Sequence, residues 1–376
     1  MKIFRSILLT FASLSVGIAQ AESGVTDTTI LMGQSTPLTG LAAGLGQEMT
    51  VGVKAYFDKV NKEGGVHGRK LELVTLDDGY EPARAEANTT QLIEQKKVFA
   101  LIGYVGTPTS NAANPVFTKA KVPFIGPFTG AMSLREPFNR YIFNVRASYN
   151  DEGVAIVNQL NTFGASRIAI FHQDDAYGKA VMNGVVAAMK TRGQEPIVTA
   201  TVPRNSLDVE DAAQKIIKAN PTGIAMGCTY PACAALIKRL KTARIQPTYL
   251  TVSFGGMSND SIEEKSAGAG LGIVQVMPYP WNNAIAVVRD YQRAMTTINR
   301  TAYSYPAMEG FIAAKVFVEG LRKAGPNLTR EKFIDAMETL RPFDVGGFTV
   351  SYSPTNHNGS TFTEQTIVGA NGKIIR

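Results

Sequence analysis

The chain has 376 residues, a formal net charge of +7, 18% charged residues and 44% hydrophobic residues. That length exceeds one ordinary hydrophobic core and requires two domains, and the composition excludes a disordered or low-complexity chain. The basic residues are scattered, without a stripe or interleaved aromatics, which excludes a nucleic-acid-binding face.

Met1 to Ala21 places Lys2 and Arg5 ahead of an apolar run from Ile7 to Ala19 and ends in Ala19-Gln20-Ala21. This is the layout of a cleaved secretory signal peptide. The apolar run is shorter than the roughly 20 residues a membrane span needs. No Cys follows the cleavage site, so no lipid is expected there. The mature chain is expected to be soluble and exported.

From there the pattern alternates. Thr28 to Ser35 reads as a strand, and apolar residues at Met49, Val53, Phe57 and Val60 then recur at helical spacing until Gly64-Gly65. Lys70 to Leu76 is a second strand, closed by Asp77-Asp78-Gly79, and Pro82 to Gln95 a second helix.

Two copies of one device follow. Val98 to Gly103 is a short apolar run that breaks into the Gly/Thr/Pro/Ser loop Tyr104 to Ser110, and Val122 to Gly126 breaks into Pro127 to Ser133. Each loop is expected to set hydroxyls and free N–H groups at a strand end where a helix begins. That arrangement binds anions, here the carboxylate of a small ligand.

Arg140 to Val145 is a further strand, and from Asp151 the alternation restarts. A helix runs to Phe163. Strands are expected at Arg167 to His172, Pro196 to Val202, Gly223 to Gly227, Gln246 to Val252 and Gly272 to Met277, with helices between. Ala307 to Ala324 and Thr329 to Leu340 read as helices. Val345 to Ser353 and Thr363 to Ile375 read as a closing hairpin around Asn371-Gly372. The fold class is therefore α/β, two Rossmann-like lobes joined by a multi-crossover hinge. Crossovers near Val145 to Ser148, Met277 to Trp281 and Arg341 to Gly346 assign 24–146 plus 278–343 to an N-terminal lobe and 147–277 plus 344–376 to a C-terminal lobe.

Cys228 and Cys233 are the only cysteines and flank the turn Thr229-Tyr230-Pro231. In an oxidising compartment they can pair as a disulfide, and two buried thiols are the other arrangement. The three His lie far from both, so no metal site is expected. His67 belongs to a turn, and His172 stands beside Asp174 without a nucleophile motif to complete an acid–base pair, so no enzyme activity is expected. No dinucleotide or P-loop motif occurs, and no cofactor is expected.

The run Asn61 to Asp78, NKEGGVHGRKLELVTLDD, resembles the signature of the leucine/isoleucine/valine-binding family, type I periplasmic substrate-binding proteins of ABC importers. Thr36-Pro37-Leu38-Thr39-Gly40, Ile102-Gly103 with Pro115-Val116, and Asp174-Asp175-Ala176-Tyr177-Gly178 match in order. The resemblance implies the periplasm, and a monomeric receptor that delivers a small carboxylate-bearing solute to a membrane ABC permease. The solute would be of the branched-chain or other amino acid class. An aromatic acid or an amide, or a sensory role, is the alternative.

It also implies contacts. Thr107, Thr109 and Ser110 match the carboxylate-binding loop, Thr129 and Gly130 the second loop, Tyr177 the closing aromatic, and Tyr305 the aromatic that begins the late helix. Leu45 stands where the family has an aromatic. The family's ammonium-binding Glu is expected within Ser253-Phe254-Gly255-Gly256, where this chain has no carboxylate. Glu309 is a candidate substitute, its other reading being an acid in a helix's first turn. Tyr104, Phe128, Phe254 and Trp281 suit an apolar or aromatic ligand body.

Overall fold

The computed structural model describes residues 22–256 and 268–376, so the expected signal peptide lies outside the described residues. In chain order the first half contains β1 (Thr29–Thr36), α1 (Ala43–Lys62), β2 (Lys70–Asp77), α2 (Pro82–Glu94), β3 (Ala100–Ile102), α3 (Thr107–Lys119), β4 (Phe124–Ile125) and β5 (Ile142–Phe143). The strands form one sheet in the order β2-β1-β3-β4-β5, with every neighbouring pair parallel. Alternate residues serve its two faces. Ile30, Met32 and Ile102 join the core under α1, while Leu101 and Phe124 pack with Leu92 of α2 and Phe117 of α3.

The second half continues through α4 (Tyr149–Thr162), β6 (Ile168–Gln173), α5 (Ala176–Lys190), β7 (Val198–Val202), α6 (Glu210–Ala219), β8 (Gly223–Gly227), α7 (Tyr230–Thr242), β9 (Thr248–Val252) and β10 (Leu271–Gln275). Helix α4 starts two residues before the expected Asp151. Ser148 is its cap, and Asp151 is the third helical residue, answering the cap from within a capping box. Asp175 caps α5 by accepting from the Tyr177 and Gly178 N–H groups.

The tail adds α8 (Ala286–Thr297), α9 (Tyr305–Ala324), α10 (Arg330–Met337), β11 (Phe343–Asp344), β12 (Thr349–Val350), β13 (Glu364–Val368) and β14 (Ile374–Ile375). Helix α9 lies on α1, with Phe311 against Tyr56 and Phe317 against Phe57. The last strands return to the other sheet, whose order is β14-β13-β10-β9-β8-β6-β7. The expected closing hairpin is only half correct. β13 and β14 pair antiparallel, whereas β12 pairs with β11. Asp344 Oδ1 accepts from the Gly346 and Gly347 N–H groups and turns that ribbon on itself. Among the described residues no helix is long and apolar enough to cross a membrane, and no three His, Cys, Asp or Glu gather as a metal site.

Candidate functional site

The first loop of the repeated device leads into α3 through Gly106, whose φ is 102°. A Cβ there would stand 2.3 Å from a Tyr80 ring carbon, so both the backbone angle and the neighbour require glycine. Because this N-cap has no side chain, the first-turn N–H groups of Thr107 and Thr109 are uncapped, and Pro108 has none to offer. Thr107 Oγ1 meets Thr129 Oγ1 at 2.7 Å, which joins the two loops. Ser110 Oγ is buried without a partner among the described residues. Thr109 is spent inside the helix, its hydroxyl donating to Val105 O at 2.6 Å.

The second loop departs from expectation. It opens no α-helix, only a short 3-10 turn at Met132–Leu134, so helix-dipole help comes from the first loop alone. Thr129 Oγ1 accepts the Ala131 N–H at 3.2 Å. Gly130 O accepts the Tyr149 N–H at 2.7 Å, holding the loop against the crossover into α4.

Five buried rings from both halves cluster beside these loops, with Tyr80 against Gly106 and Tyr149 against Gly130. Phe254, in the turn after β9, lies 4.4 Å from Tyr177, 5.6 Å from Phe128 and 5.9 Å from Tyr80 between ring centroids, and Tyr149 lies 5.6 Å from Tyr177. Tyr177 donates its hydroxyl to Cys228 O at 3.2 Å. The Tyr80 and Tyr149 hydroxyls are buried, the first facing Gln173 and the second facing Thr129 and Gly130. Burial raises the pKa of all three phenols, so they remain donors at neutral pH. Asp78, second Asp of the Asp-Asp pair, accepts from the Ser35 hydroxyl and the Tyr80 N–H, both at 2.8 Å, and so sets the Tyr80 backbone. Burial lifts Asp78 to about 6.

Beneath the rings lies Arg146, fully buried. Its Nη2 stands 3.0 Å from Glu152 Oε1 and its Nη1 3.5 Å from Glu309 Oε1; it also donates to Ser253 Oγ. The guanidinium packs over Phe128 at 4.9 Å and Tyr149 at 5.8 Å. Burial opposes its charge, but Glu309 and Glu152 outweigh that and hold it cationic. Glu152 Oε2 accepts the Ser253 N–H at 2.6 Å, so a carboxylate does reach the segment where the sequence has none. Burial raises the Glu152 pKa, and burial lifts Glu309 to about 7 against the pull of Arg146.

Several expected contacts fall elsewhere. Tyr104 packs at 4.9 Å from Phe124 with its hydroxyl 3.0 Å from Thr89 Oγ1, in the core on the other face of the sheet. The preceding Gly103 has φ 66°, which breaks the strand alternation and turns Tyr104 away. Tyr305 donates to Glu364 Oε1 at 3.1 Å and sits with Tyr279 and Trp281, and Trp281 is half-exposed. Glu309 answers Arg146 and not the helix dipole. Leu45 is core. Cys228 and Cys233 form a disulfide. His172 Nδ1 lies 2.8 Å from Gln173 O. Sequence reasoning missed Arg146, Glu152, Tyr80 and Tyr149. The signal for Arg146 was a lone cation in the apolar crossover Phe143-Asn144-Val145-Arg146-Ala147, which requires buried acids nearby.

A family described as "Periplasmic binding protein" matches residues 29–367. A solved structure of a possible leucine/isoleucine/valine-binding protein from Rhodopirellula baltica SH 1 is 30% identical with TM-score 0.86, covering 94% of this chain and 96% of that one. A leucine-, isoleucine-, valine-, threonine-, and alanine-binding protein from Pseudomonas aeruginosa is 23% identical over 321 residues, 84% of this chain and 83% of its own length. An ABC transporter solute binding protein from R. palustris, solved in complex with benzoate, shares the fold at TM-score 0.81 and 19% identity, over 92% of this chain and 95% of that one.

Proposed function

Since this chain belongs to the periplasmic binding protein family, we propose that it is the solute receptor of an ABC importer, closing two lobes over a small organic carboxylate. The lobes are 24–146 plus 278–343 and 147–277 plus 344–376, residues 1–21 being a signal peptide removed on export to the periplasm. A monomer then presents the closed form to a membrane permease.

The observation that carries this reading is the meeting of polar groups and rings from both sheets. The uncapped start of α3, the Thr107–Thr129 pair and the buried Ser110, Tyr80 and Tyr149 hydroxyls supply an anion cradle. Tyr177 and Phe254 close over it from the other lobe. Shifting a two-state balance from 1:99 to 99:1 takes about 5.5 kcal/mol of differential binding, and only a ligand touching both lobes supplies it.

Within this class the site favours an acid with an apolar or aromatic body and no ammonium. Glu152 and Glu309 are both engaged by Arg146, and an ammonium buried without its own carboxylate is costly. The second reading is an amino acid whose ammonium reaches Glu309, supported by the long 3.5 Å contact of that carboxylate. Thermal shift of the purified protein against benzoate, phenylacetate, leucine, valine and simple amides tests both. The reading expects shifts with the acids that lack an amine. A shift confined to the amino acids overturns it.

A further inference from the structure

Arg204 lies in the loop after β7, and Tyr80 and Glu81 lie in the loop between β2 and α2, so the two loops belong to opposite sheets. Arg204 Nη1 donates to Tyr80 O at 3.0 Å, and Nη2 stands 2.7 Å from Glu81 Oε2. The neighbouring Asn205 donates from Nδ2 to Glu81 Oε1 at 2.7 Å, so both carboxylate oxygens of Glu81 are held from across the cleft.

Tyr80 is an unusual place to grip. Its φ is 65°, a left-handed angle that costs strain for a residue with a side chain. The Asp78 carboxylate holds its N–H from one side and Arg204 its carbonyl from the other. This strained backbone is what aims the fully buried ring at Phe254. The Arg204 and Glu81 side chains remain 27% and 41% exposed, so they stand at the rim and not in the ring cluster.

We propose that Arg204 is a positioning residue, a clasp that sets the balance between open and closed lobes and fixes the Tyr80 ring as part of the closing wall. The inference rests on the two-lobed receptor reading but not on the identity of the solute. An isolated rim ion pair contributes little to folding. Here the clasp acts on a hinge, where a small bias decides which form is populated.

The test uses the full-length mature protein carrying spin labels at Ala87→Cys and Lys215→Cys, two exposed helix positions on either side of the clasp. The native cysteines are joined to each other and do not take the label. Distance distributions are recorded without solute, with benzoate and with L-leucine. Arg204→Ala is expected to lower the closed-to-open ratio about tenfold, the scale of one charge-assisted hydrogen bond plus a partly exposed ion pair. Glu81→Gln retains the Tyr80 carbonyl bond and is expected to lower it less, and Arg204→Lys to restore part of the loss. Circular dichroism of each variant should match the parent. Distributions for Arg204→Ala that coincide with the parent under all three conditions overturn the clasp. If neither probe binds the parent, the solute reading fails, while the solute-free comparison still decides the clasp.

Discussion

The Arg146 guanidinium and the Glu309 carboxylate stand 3.5 Å apart with both side chains out of water, one in the crossover after β5 and the other on α9. Glu152 of α4 completes the group from the second half. One buried cation thus meets an acid on a helix from each half of the chain.

The charge of this group changes near neutrality. Glu309 is lifted to about 7, with burial raising it, Arg146 lowering it, Glu152 raising it and Arg135 lowering it. As pH rises through that value Glu309 loses its proton, and the buried group around Arg146 becomes one charge more negative. Benzoate affinity is expected to fall by up to about tenfold between about pH 6 and about pH 8, through repulsion of the ligand carboxylate. Glu309→Gln should flatten the profile. For folding, a carboxyl whose native pKa is raised binds its proton more tightly folded than unfolded. Its contribution is therefore full below the ordinary Glu range and is lost as pH rises towards about 7. Denaturant titrations of parent and Glu309→Gln across that window check the sign.

Thr107 and Thr129 share one hydrogen bond that joins the two loops of the proposed cradle. Removing both hydroxyls, Thr107→Ala with Thr129→Ala, is expected to weaken benzoate binding by about tenfold to hundredfold, as for lost hydrogen bonds to a charged group. Thr109→Ala should do far less, because that hydroxyl is committed to Val105 O. Calorimetric titration of the three variants separates the cases, and unchanged affinity in the double variant rules out the cradle.

The disulfide joins Cys228 to Cys233 across the turn into α7, and Cys228 O accepts the Tyr177 hydroxyl. Replacing both cysteines by Ala is expected to cost about 2 kcal/mol of stability, the loop-entropy value for so short a closure. Urea unfolding measures it. Looser support for Tyr177 should also speed ligand dissociation, readable by stopped flow.

What the sequence made legible was local. Hydrophobic period and glycine punctuation located the strands, and Asp175-Ala176-Tyr177-Gly178 announced a capped helix carrying Tyr177. The meeting of Thr107 and Thr129 was foreshadowed because a repeated strand–loop unit can be read within about thirty residues. Arg146 escaped because one of its acids, Glu309, is 163 residues away, and the nearer one, Glu152, meets it only through the turn from the crossover into α4. Tyr104 was mistaken for a contact because one left-handed glycine reversed its face. Tyr80 was overlooked for the opposite reason. It closes the Asp-Asp-Gly turn with no periodic pattern around it, and only the grip of Asp78 and Arg204 aims its ring inward. The second loop looked like the first in composition, but Ala131-Met132-Ser133 leads into a single 3-10 turn, where helix propensity had no room to act.

We propose that the cleft takes a carboxylate and declines an ammonium. The most direct measurement is isothermal titration of matched pairs that differ only in the α-amino group, phenylpropionate against L-phenylalanine and isocaproate against L-leucine. Each acid is expected to bind at least about tenfold more tightly than its amino acid, since Glu152 and Glu309 already answer Arg146. Tighter binding of L-phenylalanine and L-leucine than of their amine-free partners contradicts it.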